Sequence, residues 1–217
     1  MKVTTTKLLV SALATFATAA LMIGCATPGY ERAEKTGENI AAFRNDILNI
    51  SKSVDATMAG LNQIISTANT GPTKAYNTFA ASLAKLDSSV VTAKARAKEI
   101  EASGDAYFKE WEKQLQTMTN PEIRAAAVAQ KAKLQETFAK IKPLAQKAKA
   151  DFEPFSSDCH DLQKFLNNDL TVTGVDAAKS IIDKTVTDGQ AVQKSLDNLM
   201  AEMNSISAAI TPAKAAK

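Results

Sequence analysis

The stretch VDAAKSIIDKTVTDGQAVQKSLDNLMAEMNSISAAI, residues 175–210, decides the fold. Val175, Ala178, Ile182, Thr185, Gly189, Val192, Leu196, Leu199, Met203, Ile206 and Ile210 follow one another at alternating spacings of three and four. An α-helix turns once in about 3.6 residues, so this spacing lays them along one stripe, the heptad pattern of a coiled coil. Three further segments carry the same signature. The first runs Ile40, Phe43, Ile47, Ile50, Val54, Thr57, Leu61, Ile64, Ala68. The second runs Tyr76, Phe79, Leu83, Leu86, Val90, Ala93, Ala97, Ile100, Gly104, Tyr107, Trp111, Gln114, Met118. The third is strong from Leu134 through Phe138, Ile141, Ala145, Ala148, Phe152, Phe155, Cys159, Leu162 and Leu166. No run alternates with the period of two that a half-buried strand requires. The sequence predicts an all-α protein.

Punctuation separates the four segments. Gly71-Pro72 closes the first, since glycine adopts a helix-ending conformation and proline cannot continue a helix. Asn120-Pro121-Glu122 opens the third, with a side-chain cap, a first residue of preset φ and an acid near the positive helix end. Thr171 or Thr173 caps the fourth. Pro143 and Pro154 lie inside the third segment but off its stripe, so one bent helix with outward prolines is expected. Connections this short force neighbouring helices to run in opposite directions, which predicts an elongated up-down antiparallel four-helix bundle with coiled-coil-like seams over residues 32–210. The alanines and glycines on the stripes predict close helix approach.

Residues 1–24 read as a signal for export rather than as fold. Lys2 and Lys7 precede the apolar run LLVSALATFATAALMIG at 8–24, and Met22-Ile23-Gly24-Cys25 closes it as a bacterial lipobox does. Cys25 is therefore the expected lipidation site. Residues 25–31 form a short tether to the bundle, and residues 211–217 a disordered tail. Ala26 after the cysteine favours the outer membrane, facing the periplasm, and several acyl chains together give stable anchoring.

Composition narrows the function. One histidine in 217 residues excludes sites that need two imidazoles. Two cysteines make no disulfide framework, and 26 basic against 23 acidic residues leave no nucleic-acid footprint. Asp158, Cys159, His160 and Asp161 are consecutive, so their side chains point about 100° apart along a helix and cannot converge on one ion. Cys159 itself lies on the stripe, where a free cysteine behaves as a small hydrophobe. Tyr107 and Trp111 continue the second stripe and read as packing residues. The carboxylates are dispersed among lysines and arginines as a solvated surface. No catalytic residue, cofactor or metal is implied.

Two blocks, GDAYFKEWEKQLQTMTNPEIRAAA (104–127) and FEPFSSDCHDLQKFLNNDLTVTGVDAAKS (152–180), resemble an uncharacterised family of exported bacterial helical proteins, a domain of unknown function. The resemblance marks Trp111, Asn120, Pro121, Pro154, Phe155 and Leu170 as family positions and implies a helical, coiled-coil-like shape with no activity attached.

The expected function is a non-enzymatic, membrane-anchored envelope lipoprotein that acts structurally or binds an envelope protein partner. The alternative is a carrier or sensor of amphiphilic molecules that opens its bundle. Counting back from the turns at 69–73 and 169–174 sets the start of the first helix beside Glu110 and the end of the last beside Lys133. Residues 111–132 then protrude as a two-helix tip, and Trp111, Leu115, Met118 and Ile123 become the expected interaction residues. Replacing Cys25 with Ser tests the anchor: uncleaved precursor or released protein is expected on fractionation, and unchanged processing with membrane association would refute lipidation there.

Overall fold

A computed structural model of the chain describes residues 29–210, and among these it is all-α. Five helices follow in order: α1 (Gly29–Thr67), α2 (Thr73–Thr117), α3 (Pro121–Ala139), α4 (Ile141–Asn168) and α5 (Val172–Ile210). None of them is long and apolar enough to cross a membrane. The lipobox with Cys25 and the tail at 211–217 lie outside the described residues, whereas residues 29–31, expected in the tether, belong to α1.

The helix ends obey local chemistry. Gly71, at φ 114°, turns the α1–α2 connection through the left-handed region where a side chain is strained. The Asn120 side chain accepts hydrogen bonds from the backbone N–H groups of Glu122 (2.9 Å) and Ile123 (3.1 Å), with Pro121 first in the helix. Of the two threonines that could cap α5, Thr171 does so, accepting from the Gly174 N–H at 3.2 Å.

The third segment is two helices, not the single bent helix its sequence suggests. The break is one residue, Lys140, which keeps helical dihedrals (φ −71°, ψ −24°). It falls here because Pro143 has no N–H to give to an upstream carbonyl. By ending α3 at Ala139 and restarting at Ile141, the chain puts Pro143 in a first turn, where N–H groups have no intrahelical partner anyway. Pro154 stays within α4, and both prolines are exposed.

Burial of the apolar stripes, at roughly 25 cal/mol per Å² removed from water, drives the assembly. Val54, Leu61, Ile64, Phe79, Leu86, Phe155, Leu166, Ile182, Val192, Met203 and Ile206 are completely or almost completely buried in one continuous core. The buried polar residues on the stripes are satisfied within their own helices: Thr57 donates to Ser53 O (2.8 Å) and Thr185 to Ile181 O (2.8 Å). The helices do not share contact equally. α1 packs along α2 and α5, and α5 along α4, whereas α2 and α4 touch at few places and α3 adds small contacts to α2, α4 and α5.

Two glycines set the closest approaches. A Cβ on Gly60 would sit 2.8 Å from Phe79 Cα and 2.9 Å from its Cβ, so α1 and α2 meet backbone to backbone. A Cβ on Gly189 would lie 2.4 Å from Met58 Sδ and 2.9 Å from Phe155 Cε2, which draws α1, α4 and α5 together at the same level. Next to it, α1 and α5 are locked by one glutamine. Gln193 accepts from Ser51 Oγ (2.7 Å) and donates to Ser51 O (2.6 Å) and Asp55 Oδ1 (2.8 Å).

Gly60→Ala is expected to destabilise by about 1–3 kcal/mol despite alanine's better helix propensity, because the methyl collides with backbone that cannot rotate away. Gly104→Ala has the opposite sign: its nearest neighbour would be Phe138 Cε1 at an ordinary 3.8 Å, so up to about 1 kcal/mol of stabilisation is expected. Thermal melts of the two variants check both signs.

Candidate functional site

Between the glycine level and the far end of the molecule, α2 and α4 part. The gap is a cavity of about 450 Å³, open along one side. Phe43, Ile47 and Ile50 of α1 and Leu196 and Leu199 of α5 form its floor; Val90, Ala93 and Ala97 line the α2 bank; Ala145, Ala148 and Phe152 line the α4 bank. The sequence puts alanine on both banks, and an alanine side chain is too short to span two helices that stand apart at this level. Val90, Ala97, Ala145 and Phe152, all on the predicted stripes, are accordingly only half-buried.

Both ends of the groove are closed. Towards the α1–α2 turn, Tyr76 Oη donates to the carbonyl of Gln163 (3.2 Å), and His160 Nε2 lies 3.3 Å from Asp87 Oδ1, so polar side chains bridge α2 and α4 there. Towards the α2–α3 turn, Phe108 meets Phe138 edge to face with ring centroids 5.3 Å apart, and Tyr107 stacks edge-on against Phe108 and Trp111. Rings of this size hold α2 and α3 apart while filling the space between them. The rim is polar: Lys94 on the α2 bank, and Lys149, Glu153, Ser156, Ser157 and His160 on the α4 bank. Lys149 faces Glu153 at 3.5 Å, and Lys94 has no ion-pair partner among the described residues.

The four consecutive metal-type side chains each turn to a different neighbour. Asp158 binds Lys184 (2.7 Å), His160 faces Asp87, Asp161 binds Lys164 (3.0 Å), and Cys159 is wholly buried in the core. Lys184 also binds Asp188 at 2.8 Å, and these two carboxylates raise its pKa. Burial pushes the Cys159 thiol up to about 12, with the charges of Asp158 and Asp87 adding to the effect. Among the described residues no three His, Cys, Asp or Glu side chains gather to hold a metal ion.

The expected tip is only partly exposed. Leu115 is buried, and Trp111 and Met118 are half-buried. α1 also starts a turn's length earlier than Arg32: a Cβ on Gly29 would lie 3.9 Å from the Gln114 side chain, so α1 reaches that level of α2. Glu112 of α2 forms an ion pair with Lys131 of α3, which ties the two arms. Ile123 is 59% and Val128 48% exposed, and Leu134 is the one buried residue of α3. The large exposed apolar side chains of the tip are therefore on α3. The groove was not anticipated. Its signal was present in the facing pairs Ala93 and Ala97 with Ala145 and Ala148, but alanine on a stripe suits a gap as well as a close contact.

An all-helical bundle with an apolar side groove is the class of protein these observations define. The chain matches the family model described as Protein of unknown function (DUF2959) over residues 52–214, and it belongs to that family. No curated protein and no solved structure matches it significantly.

Cys159 is expected to resist a bulky thiol reagent at neutral pH, since a group that deprotonates only near pH 12 offers no thiolate and no access until the helices separate. Cys159→Ala should cost on the order of 1 kcal/mol. Rapid labelling of the folded protein would contradict the packing role.

Proposed function

We propose that this chain is a non-enzymatic, lipid-anchored envelope protein that carries or senses amphiphilic molecules. Its helices are read as an elongated up-down antiparallel four-helix bundle with coiled-coil-like seams, α3 and α4 together making one leg. The contacts support that reading: Gly29 near Gln114, Asp46 paired with Arg96, and Gly60 against Phe79 climb α1 while descending α2. Likewise Lys140 with Glu202, Asp151 with Ser195, and Asp158 with Lys184 climb α4 while descending α5. Cys25 stands four residues before the start of α1, so a lipid on it tethers the bundle closely to a membrane, and Ala26 after it favours the outer one.

The observation that carries the carrier reading is the groove. An apolar floor beneath a polar rim, with a volume inside the roughly 300–1,000 Å³ range of small-molecule sites, is what an amphiphile requires. This shifts the balance from a purely structural or protein-binding module. The second reading, an envelope protein partner, rests on α3, whose Ile123 and Val128 project from a helix with little core contact.

Solvent extraction of the purified lipoprotein, compared with an Ala97→Leu/Ala145→Leu variant that fills the groove, tests the proposal. An amphiphile bound near one per chain in the first and absent in the second is expected. Equal lipid in both would refute it, and a single envelope protein captured by a photoreactive residue at Ile123 would then support the second reading.

A further inference from the structure

We infer that the groove takes one unbranched hydrocarbon chain bearing an anionic head group, the chemistry of a fatty-acid carboxylate, with the head between Lys94 and Lys149. The inference rests on the carrier reading above and specifies its ligand.

Three observations select this occupant. The floor consists of Phe43, Ile47, Ile50, Leu196 and Leu199, which offer carbon and no hydrogen-bonding group, so a peptide or a sugar would lose its hydration without replacement. The volume, about 450 Å³, is at the lower end for ligand sites, and the groove is a slot between two helices closed at both ends. A single chain laid along the helices fits a slot, whereas a ring system or the paired chains of a membrane lipid would need the banks to separate further. The rim supplies the charge. Lys94 stands on one bank without an ion-pair partner among the described residues, and Lys149 on the other is held only by an exposed contact with Glu153. Two ammonium groups against one carboxylate leave the mouth cationic, and an exposed Lys–Glu contact is readily exchanged for a ligand oxygen. His160 with Asp87 bridges the two banks at one end, and beyond the other end Phe108 of α2 packs on Phe138 of α3, so packed contacts flank the slot.

The full-length protein is photolabelled with a palmitate analogue carrying a diazirine at its methyl end, and labelled peptides are identified by mass spectrometry. Label on the segments around Ala93 and Phe152 is expected, competed by palmitate. Myristate, two methylenes shorter, should compete up to about 15-fold more weakly, since each buried methylene contributes about fourfold in affinity. Cetyl alcohol, with the same chain and no charge, should compete more weakly than palmitate in the wild type and equally well in Lys94→Ala/Lys149→Ala. The Ala97→Leu/Ala145→Leu variant should lose the label while keeping its helical melt. If the alcohol competes as well as palmitate in the wild type, the anionic head is wrong and the groove reading survives. Label spread evenly along the helices, or retained in a folded groove-filled variant, overturns the groove reading together with the inference.

Discussion

Gly60 brings α1 and α2 so close that a methyl group there would lie 2.8 Å from the backbone of Phe79, and the packing of the helices around this level depends on that closeness. At the same level Gly189 admits Met58 and Phe155, and α4 and α5 are drawn in. At the opposite end Tyr107, Phe108 and Trp111 of α2 stand edge to face, and Phe108 packs edge to face on Phe138 of α3. Between these levels the stripes of α2 and α4 carry alanine, which can neither close the distance nor fill it. The groove is thus a product of the order glycine, alanine, aromatic along the chain, and its banks are held apart by contacts outside it.

Energetically the molecule depends on its stripes. Most of its ion pairs are exposed, as with Lys164 and Asp161 or Lys179 and Asp183, and such pairs contribute about 0–1 kcal/mol each. Some of them join helices. Arg96 with Asp46 ties α1 to α2, and Lys184 between Asp158 and Asp188 ties α4 to α5. α3 has neither a long stripe nor many such ties, since Leu134 and Phe138 provide most of its anchorage, and it is the least supported helix of the five.

Local chemistry was legible in the sequence because it depends on neighbours a few residues apart. The cap at Asn120, the turn at Gly71 and the burial of Cys159 all follow from residue type and spacing. The register between helices was legible to within a turn, since short connections leave little freedom. Placing Arg32 beside Glu110 agrees closely with the observed approach of Gly29 to Gln114. The break at Lys140 was not legible: Pro143 permits either a kink or a restart, and a stripe that continues in phase across it does not choose between them. The groove was equally hidden, because a periodic pattern states which residues face inward and is silent on how far apart the facing helices stand.

The Gln193 clamp bears on how such a chain finds its correct alignment. A stripe that repeats every heptad looks much the same after a slip of seven residues, about 10 Å along the axis, and most apolar contacts could form again. Gln193 could not. Displaced from Ser51 by seven positions in either direction, it would meet Met58 or Arg44, neither of which offers the hydroxyl donor, and its amide would have to find other partners or go without, at about 1–3 kcal/mol. A residue that adds little to the depth of the native state thereby separates it from its nearest imitation.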